Sequence, residues 1–234
     1  MLRTRLICLE NTHNRGAGRI QPYENVVAIC DWAHGKGLRT HLDGARLFNA
    51  VVATGIPAIE WSQHFDTVSV CFSKGLGAPV GSALAGSKEA IKEARRHRKL
   101  FGGAMRQAGI IAAGALYGLQ HHRERLKDDH ANAQVVASAV RETEGLTLTP
   151  ETVDTNIIIF RVDPGLGTAA QFAAALYERG VSMLAIGAQQ VRAVTHLDVS
   201  AAQCRQAGEV IRETAEFLQS TSSSSLSPVL RGEG

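Results

Sequence analysis

Short apolar runs alternate with helical patterns through the first half of the chain. Strands are predicted for three apolar runs, at 6–9, 39–42 and 67–72. Helices are predicted at 24–35, 47–53, 88–100 and 106–122. A further apolar run at 80–87 fits one more strand. This alternation is typical of parallel strands joined by crossover helices, so we expect an α/β domain.

The pattern changes in the second half. A polar helical stretch at 121–134 leads to three apolar runs that predict strands, at 156–162, 181–184 and 191–199. Helices are predicted beside them, at 168–179 and 201–219. We therefore predict a large domain over residues 1–122, a small α+β domain over 123–219, and a serine-rich disordered tail over 220–234.

Composition excludes several classes of protein. The chain has 234 residues, of which 44% are hydrophobic and 20% charged, with a formal net charge of +3. That charge is too small and too dispersed to indicate a nucleic-acid or membrane-surface partner. No apolar run approaches the roughly 20 residues of a membrane span, and the first ten residues are charged too early for a signal peptide. We therefore expect a cytoplasmic protein.

The cysteines agree with a reducing compartment. They lie far apart, mostly inside apolar runs, and form no Cys-x-x-Cys pair, which predicts free thiols instead of disulfides or metal ligands. They are Cys8, Cys30, Cys71 and Cys204.

Lys74, in the segment VSVCFSKGLGAPVG at 68–81, directly follows an apolar strand with no acidic residue within four positions. It is either an exposed lysine of a turn or a desolvated amine used as a nucleophile. Asp43, in HLDGAR, stands in the same place after another strand. Because the carboxyl ends of strands line the ligand crevice of an open α/β sheet, we expect both residues to face one site.

Two interpretations of this pair remain open. Asp43 and Lys74 could form a buried ion pair. Alternatively, the lysine could hold pyridoxal phosphate covalently while the carboxylate keeps the pyridine nitrogen protonated.

Other candidate groups carry weaker signals. A cluster of metal-ligand residue types lies in a strongly charged helical stretch, and we predict no metal site there. The cluster comprises His121, His122, Asp128, Asp129 and His130. The Gly-Leu-Gly at 75–77 lacks the spacing of a dinucleotide-binding loop. His13 and Asn14 follow a predicted strand end, where a histidine is either a wall residue or a catalyst.

Five segments, ENTHN, HLDGARLFNA, SKGLGAPVGS, RKLFGGAMRQAG and VRAVTHLDVS, occur in the order and at roughly the spacing of threonine aldolases. The chain resembles that family from about residue 4 to residue 218. The resemblance implies an α/β fold with a pyridoxal-phosphate-dependent transferase-like large domain, whose sheet is mostly parallel, and a small C-terminal α+β domain. It also implies a homo-oligomer, a dimer or tetramer, that cleaves threonine or allo-threonine to glycine and acetaldehyde.

Carried over by position, the resemblance assigns four principal roles. Lys74 becomes the lysine that binds pyridoxal phosphate, and Asp43 the partner of its pyridine nitrogen. Arg46 would lie near the phenolic oxygen of the cofactor and the substrate carboxylate. Arg192 would be the second carboxylate-binding arginine, since a planar guanidinium can hold a carboxylate with two hydrogen bonds.

Three further residues are assigned with an alternative beside them. Lys99 and Arg106 lie in the glycine-rich turn KLFGGAMR, which in the family often faces a neighbouring subunit, and they would lie near the phosphate or the substrate. The alternative is a plain turn between two helices with basic caps. His13 is a candidate for substrate binding, with the role of a wall residue as its alternative.

The chain departs from the family at its N-terminus. Family members carry a further N-terminal third that supplies a phosphate-binding loop and two histidines, and none of these matches a residue here. Residues 1–122 are therefore interpreted as a remnant of the cofactor-binding domain, and we expect impaired activity. Three hypotheses follow: a threonine aldolase-type lyase, another lyase or aminotransferase of the same fold, or a non-catalytic fragment.

Overall fold

The computed structural model describes residues 3–224, and the chain divides into two units. The first unit ends at His130 and the second begins at Ala131. Each unit has its own four-stranded sheet and its own hydrophobic core. The last helix continues to Ser224, into the first residues of the segment predicted to be a disordered tail. The rest of that segment, 225–234, lies outside the described residues.

The elements of the first unit begin with alternating strands and helices. In chain order they are β1 (Leu6–Glu10), α1 (Tyr23–Gly35), β2 (Arg39–Asp43), α2 (Leu47–Thr54), α3 (Ala58–Ser62), β3 (Thr67–Cys71), β4 (Ser82–Gly86), α4 (Lys88–Leu100) and α5 (Gly109–His121). Helix α6 (Leu126–Glu142) then carries the chain into the second unit. The prediction missed α3, whose five residues are too few to show a helical period.

The first sheet has the strand order β1-β2-β3-β4. Strands β1, β2 and β3 are parallel, as the alternating pattern predicts, and β4 is antiparallel to β3. The connection from β3 to β4 contains no helix to cross over the sheet, so the chain reverses direction. The core packs against one face of this sheet. It contains Val26, Cys30, Leu42, Leu47, Trp61 and Val68.

The loop after β3, residues 72–78, is fixed by helix α5. The Nδ1 of His122 lies 2.7 Å from the carbonyl oxygen of Leu76 and donates a hydrogen bond to it. Gly118 lets the helix backbone approach the same carbonyl, because a Cβ added at this glycine would lie 2.5 Å from that oxygen. Leu76 itself is buried. We call residues 72–78 the lysine loop.

The second unit is built on an antiparallel sheet with helices. After α6 its elements are β5 (Leu146–Leu148), β6 (Ile157–Val162), a 3₁₀ turn (Pro164–Leu166), α7 (Ala169–Glu178), β7 (Leu184–Ala185), β8 (Gln190–Val194) and α8 (Ala201–Ser224). The strand order is β5-β6-β8-β7. The core joins β6 to α7 and α8 through side chains that include Phe160, Phe172, Leu176 and Ile211.

Two strand predictions in this unit have wrong bounds. The run at 181–184 contributes only Leu184 to β7, because the amide of Val181 instead donates to the Leu176 carbonyl and completes the end of α7. The run at 191–199 leaves the sheet after Val194. Strand β5, three residues long, was not predicted. Within residues 3–224 no helix is long and apolar enough to cross a membrane.

The core of the second unit predicts a large effect at one position and a small effect at its neighbour. Leu176 is fully buried in α7, whereas the next residue, Tyr177, is 70% exposed. Leu176→Ala should lower the free energy of unfolding by about 2–5 kcal/mol, because it leaves a cavity. Tyr177→Ala should stay within about 0.5 kcal/mol of wild type. Urea titrations followed by circular dichroism measure both, and equal effects would contradict this description of the core.

The approach of α5 to the lysine loop predicts that Gly118 cannot carry a side chain. Gly118→Ala should lower the free energy of unfolding of the first unit by about 1–3 kcal/mol, as overpacking does. Gly109→Ala on the same helix is the control, because a Cβ there meets no described atom within 4 Å. Both tryptophans, Trp32 and Trp61, lie in the first unit, so their fluorescence during urea unfolding reports on it. Wild-type stability of Gly118→Ala would show that the helix and loop are not in close contact.

Candidate active site

Three parallel strands end at one edge of the first sheet and bring separated residues together. Glu10 and Asp43 are register partners at the ends of β1 and β2. Beyond the strands, the backbone amide of Asn11 donates to the Asp43 carbonyl at 3.0 Å. The amide of Gly44 donates to the Ser69 carbonyl at 2.9 Å. The loops that carry His13, Asp43, Arg46 and Lys74 therefore start from one connected edge.

Arg46 directly contacts the loop that follows β1. Its Nη1 donates a hydrogen bond to Asn14 Oδ1 at 3.0 Å. The backbone amide of Asn14 in turn donates to Glu10 Oε1 at 2.9 Å. Because these residues come from two different strand ends, the contacts fix the guanidinium over the edge of the sheet.

The carboxylate of Asp43 is exposed and is oriented by its own turn. Its Oδ1 accepts a hydrogen bond from the backbone amide of Ala45 at 3.1 Å, the arrangement known as an Asx turn. Gly44 permits the turn to lie against β3, because a Cβ there would be 2.8 Å from the Ser69 carbonyl oxygen. The carboxylate is thus held at the strand end and remains open to solvent.

Lys74 is exposed, so the hypothesis that its amine is desolvated is wrong for the structure described here. The backbone around it forms a tight turn, in which the amide of Gly77 donates to the Lys74 carbonyl at 2.8 Å. Among residues 3–224 no ion pair joins Lys74 to Asp43, and both side chains are exposed. The buried-ion-pair interpretation is therefore also wrong. Both charged groups are accessible to a ligand.

One apolar and two polar side chains lie close to Gly75 of the lysine loop. A Cβ added at Gly75 would lie 2.7 Å from Leu126 Cδ2, 3.8 Å from Asn49 Oδ1 and 3.9 Å from Asp129 Oδ2. Asn49 is buried, and its Nδ2 lies 3.1 Å from Nε2 of His130. Burial lowers the pKa of His130 from its ordinary value to about 4. A neutral His130 can accept the hydrogen bond that the Asn49 amide donates.

The cluster considered for a metal site has other contacts. Asp129 is fully buried and pairs at 2.6 Å with Arg125, which lies in the turn before α6. His122 donates to the lysine loop, as described above, and His130 contacts Asn49. In the described part of the chain no group of three or more metal-ligand residue types is close enough to hold an ion.

The remaining candidates lie in the loop after β1, in the α4–α5 region and in the second unit. His13 is 45% exposed, and its Nε2 lies 3.6 Å from Glu10 Oε2. Lys99 lies in the last turn of α4, and Arg106 in the turn before α5, both exposed. Arg192 lies on β8 of the second unit, where burial lowers the pKa of its guanidinium.

Several residues of the site were not found from the sequence. Asn49 is a buried amide in the apolar helix α2, and Gly118 provides the close approach of α5. Asn11 and Thr12 are buried polar residues directly after β1. A polar residue within the apolar run LFNAVV was the one available signal, since buried amides need hydrogen-bond partners.

Comparison with known proteins gives relatives over most of the chain. The low specificity L-threonine aldolase of Escherichia coli K12 is 43% identical over 203 residues, which are 86% of this chain and 57% of that protein. The chain therefore spans little more than half the length of this curated relative. The model of the beta-eliminating lyase family matches residues 1–163.

Solved structures share the fold. A threonine aldolase of Leishmania major superposes with a TM-score of 0.73 at 19% identity, covering 90% of this chain and 61% of that one. A crystal structure of Oryza sativa TDC with PLP superposes with a TM-score of 0.68 at 20% identity, covering 92% of this chain and 48% of that one. The predicted fold class is confirmed by these superpositions. With the family model covering well over half of its residues, the chain belongs to the beta-eliminating lyase family.

Proposed function

We propose that this chain is a pyridoxal-phosphate-dependent carbon–carbon lyase that cleaves threonine or allo-threonine to glycine and acetaldehyde. The observation that carries the proposal is the pair Asp43 and Lys74. Both are exposed at neighbouring strand ends, and within residues 3–224 they form no ion pair with each other. The names of the curated relatives, low-specificity L-threonine aldolases, support the substrate class.

The residues at the sheet edge fit pyridoxal phosphate. Lys74 offers a primary amine to the cofactor aldehyde, and Asp43 offers a carboxylate to the protonated pyridine nitrogen. Arg46 offers a cation to the phenolic oxygen. When bound, the cofactor supplies the electron sink for the bonding electrons of the breaking Cα–Cβ bond.

The chain's own residues would orient the substrate. Arg46 and Arg192 would bind the carboxylate of the amino acid, because each guanidinium can donate two parallel hydrogen bonds. Binding at one fixed orientation is what brings the bond to be cleaved into the reactive position. His13, half-exposed after β1, would contact the substrate.

A homo-oligomer would account for the surface of the α4–α5 region. No residue of α4 is buried, and its last residue, Leu100, and the next residue, Phe101, are 74% and 83% exposed. Exposed apolar groups of this size favour a protein–protein contact. In such an assembly Lys99 and Arg106 would be presented to the phosphate or the substrate.

Lys74→Ala tests the cofactor-binding lysine. The full chain is incubated with pyridoxal phosphate and reduced with borohydride, and the modified lysine is located by mass spectrometry of peptides. We expect Lys74 to carry the cofactor in wild type and in Lys36→Ala, an exposed-lysine control. Modification elsewhere at undiminished yield in Lys74→Ala would contradict the assignment.

The products test the reaction itself. L-threonine and L-allo-threonine are incubated with the chain and pyridoxal phosphate, and acetaldehyde and keto acids are quantified. The proposal requires acetaldehyde and glycine in equal amounts. A keto acid as the main product would favour another lyase or an aminotransferase. Acetaldehyde no higher than in Lys74→Ala would favour a non-catalytic fragment.

Asp43→Asn tests the partner of the pyridine nitrogen. A charge-assisted hydrogen bond contributes about 1.5–3 kcal/mol, so its loss should weaken cofactor binding about 10- to 100-fold. Turnover should fall as well, and Asp31→Asn on the exposed side of α1 is the control. Cofactor titrations followed by absorbance measure the affinity. Unchanged affinity and turnover would show that Asp43 only stabilises its own Asx turn and does not bind the cofactor.

A further inference from the structure

The lysine loop, residues 72–78, lies against polar and apolar residues of three helices and their ends. Its backbone is tied to α5 through His122 and the Leu76 carbonyl. On the other side, Gly75 lies against Leu126 of α6 and near the Asn49 side chain of α2. Because Gly75 is the residue after Lys74, whatever fixes Gly75 also fixes the backbone from which the Lys74 side chain extends.

Asn49 connects two strand ends. Its backbone amide donates to the carbonyl of Arg46 at 3.0 Å, so it lies one helical turn beyond the segment that carries Asp43 and Arg46. The residue is 3% exposed, and its Oδ1 would lie 3.8 Å from a Cβ added at Gly75, in the loop that follows β3.

His130 holds the Asn49 side chain. An amide nitrogen donates and cannot accept, so at 3.1 Å the Nε2 of His130 must accept the hydrogen bond from Nδ2. Burial keeps the imidazole neutral and able to do so, since its pKa is lowered to about 4. The carboxylate of the preceding residue, Asp129, is paired with Arg125.

We propose that Asn49 and His130 are positioning residues that fix the lysine loop and thereby hold the Lys74 amine at a set place relative to Asp43. The proposal rests on the proposed role of Lys74 as the cofactor lysine. In this proposal the position of the Lys74 amine is set by the position of the Lys74 backbone, and not by contacts of the Lys74 side chain. Loss of the amide–imidazole hydrogen bond would let Gly75 and its neighbours move.

The test uses five single variants of the full chain and one double variant. His130→Leu removes the acceptor, and Asn49→Leu removes the donor. His130→Gln is the rescue, because its longer amide places a carbonyl oxygen near the position of Nε2, whereas the amide of His130→Asn ends too early. His97→Leu, an exposed histidine of α4, is the matched control.

Two readouts are needed, and neither depends on turnover. The first is amide hydrogen exchange in residues 74–78, compared with the strand β6 of the second unit. The second is the rate at which pyridoxal phosphate, trapped by borohydride, modifies Lys74 compared with the exposed Lys36. Steady-state kinetics with threonine then show whether a variant changes kcat, KM or both.

We expect His130→Leu, Asn49→Leu and His130→Asn to exchange the loop amides about tenfold faster than wild type, with β6 unchanged. Trapping at Lys74 should slow by at least about tenfold, since a misplacement of about 1 Å costs up to about 100-fold in a reaction geometry. Trapping at Lys36 should not change, and kcat should fall more than KM rises. His130→Gln should recover most of each loss, and the Asn49→Leu/His130→Leu double variant should be no worse than either single variant.

The outcomes separate this proposal from the proposed function. Wild-type loop exchange in folded His130→Asn or Asn49→Leu overturns the positioning role, even if threonine is cleaved. Faster exchange in β6 to the same degree as in the loop also overturns it, because the effect is then general instability. If Lys74 takes up no cofactor in wild type while the loop still loosens in the variants, the proposed function fails and the loop contact stands.

Discussion

Parallel pairing of β1, β2 and β3 is the constraint on which the candidate site depends. Parallel strands all end at the same edge, so the loops that follow them meet although they are far apart in sequence. The register partners Glu10 and Asp43 show this directly. The hydrogen bond from Arg46 to Asn14, 32 positions apart, is possible only because both loops leave the sheet at one edge.

The site separates its chemistry from its support. The charged groups that would react or bind, Asp43 and Lys74, are exposed, and the groups that contact their loops are buried or half-buried. A flexible lysine side chain on a rigid loop can change partners during a reaction without moving the fold. This arrangement would account for the hydrogen bond between the buried amide of Asn49 and the half-buried imidazole of His130.

The sequence predicted the features that depend on local pattern and on family resemblance. It did not predict the features that depend on contacts between residues far apart in the chain. The strands β1, β2 and β3 and the helix α4 follow from periodicity, whereas the three-residue strand β5 is too short to show one. Lys74 was expected either to be buried or to be exposed, and periodicity could not choose because the packing of three helices sets its surroundings. The residue types around His130 are ones that can bind metals, and no metal site was predicted there, but composition could not show which atoms each side chain faces. Asn49 was missed because its partner lies 81 positions away.

Three glycines, Gly44, Gly75 and Gly118, are required for a reason that backbone angles do not reveal. None of them has φ in the left-handed region, yet a Cβ at each would come within 2.5–2.8 Å of a neighbouring atom. Glycine is needed at these positions because neighbouring helices, strands and loops approach them closely in the folded protein. Transplanting this edge into another α/β protein would therefore require copying the separations of its helices and loops, and the side chains alone would not reproduce it.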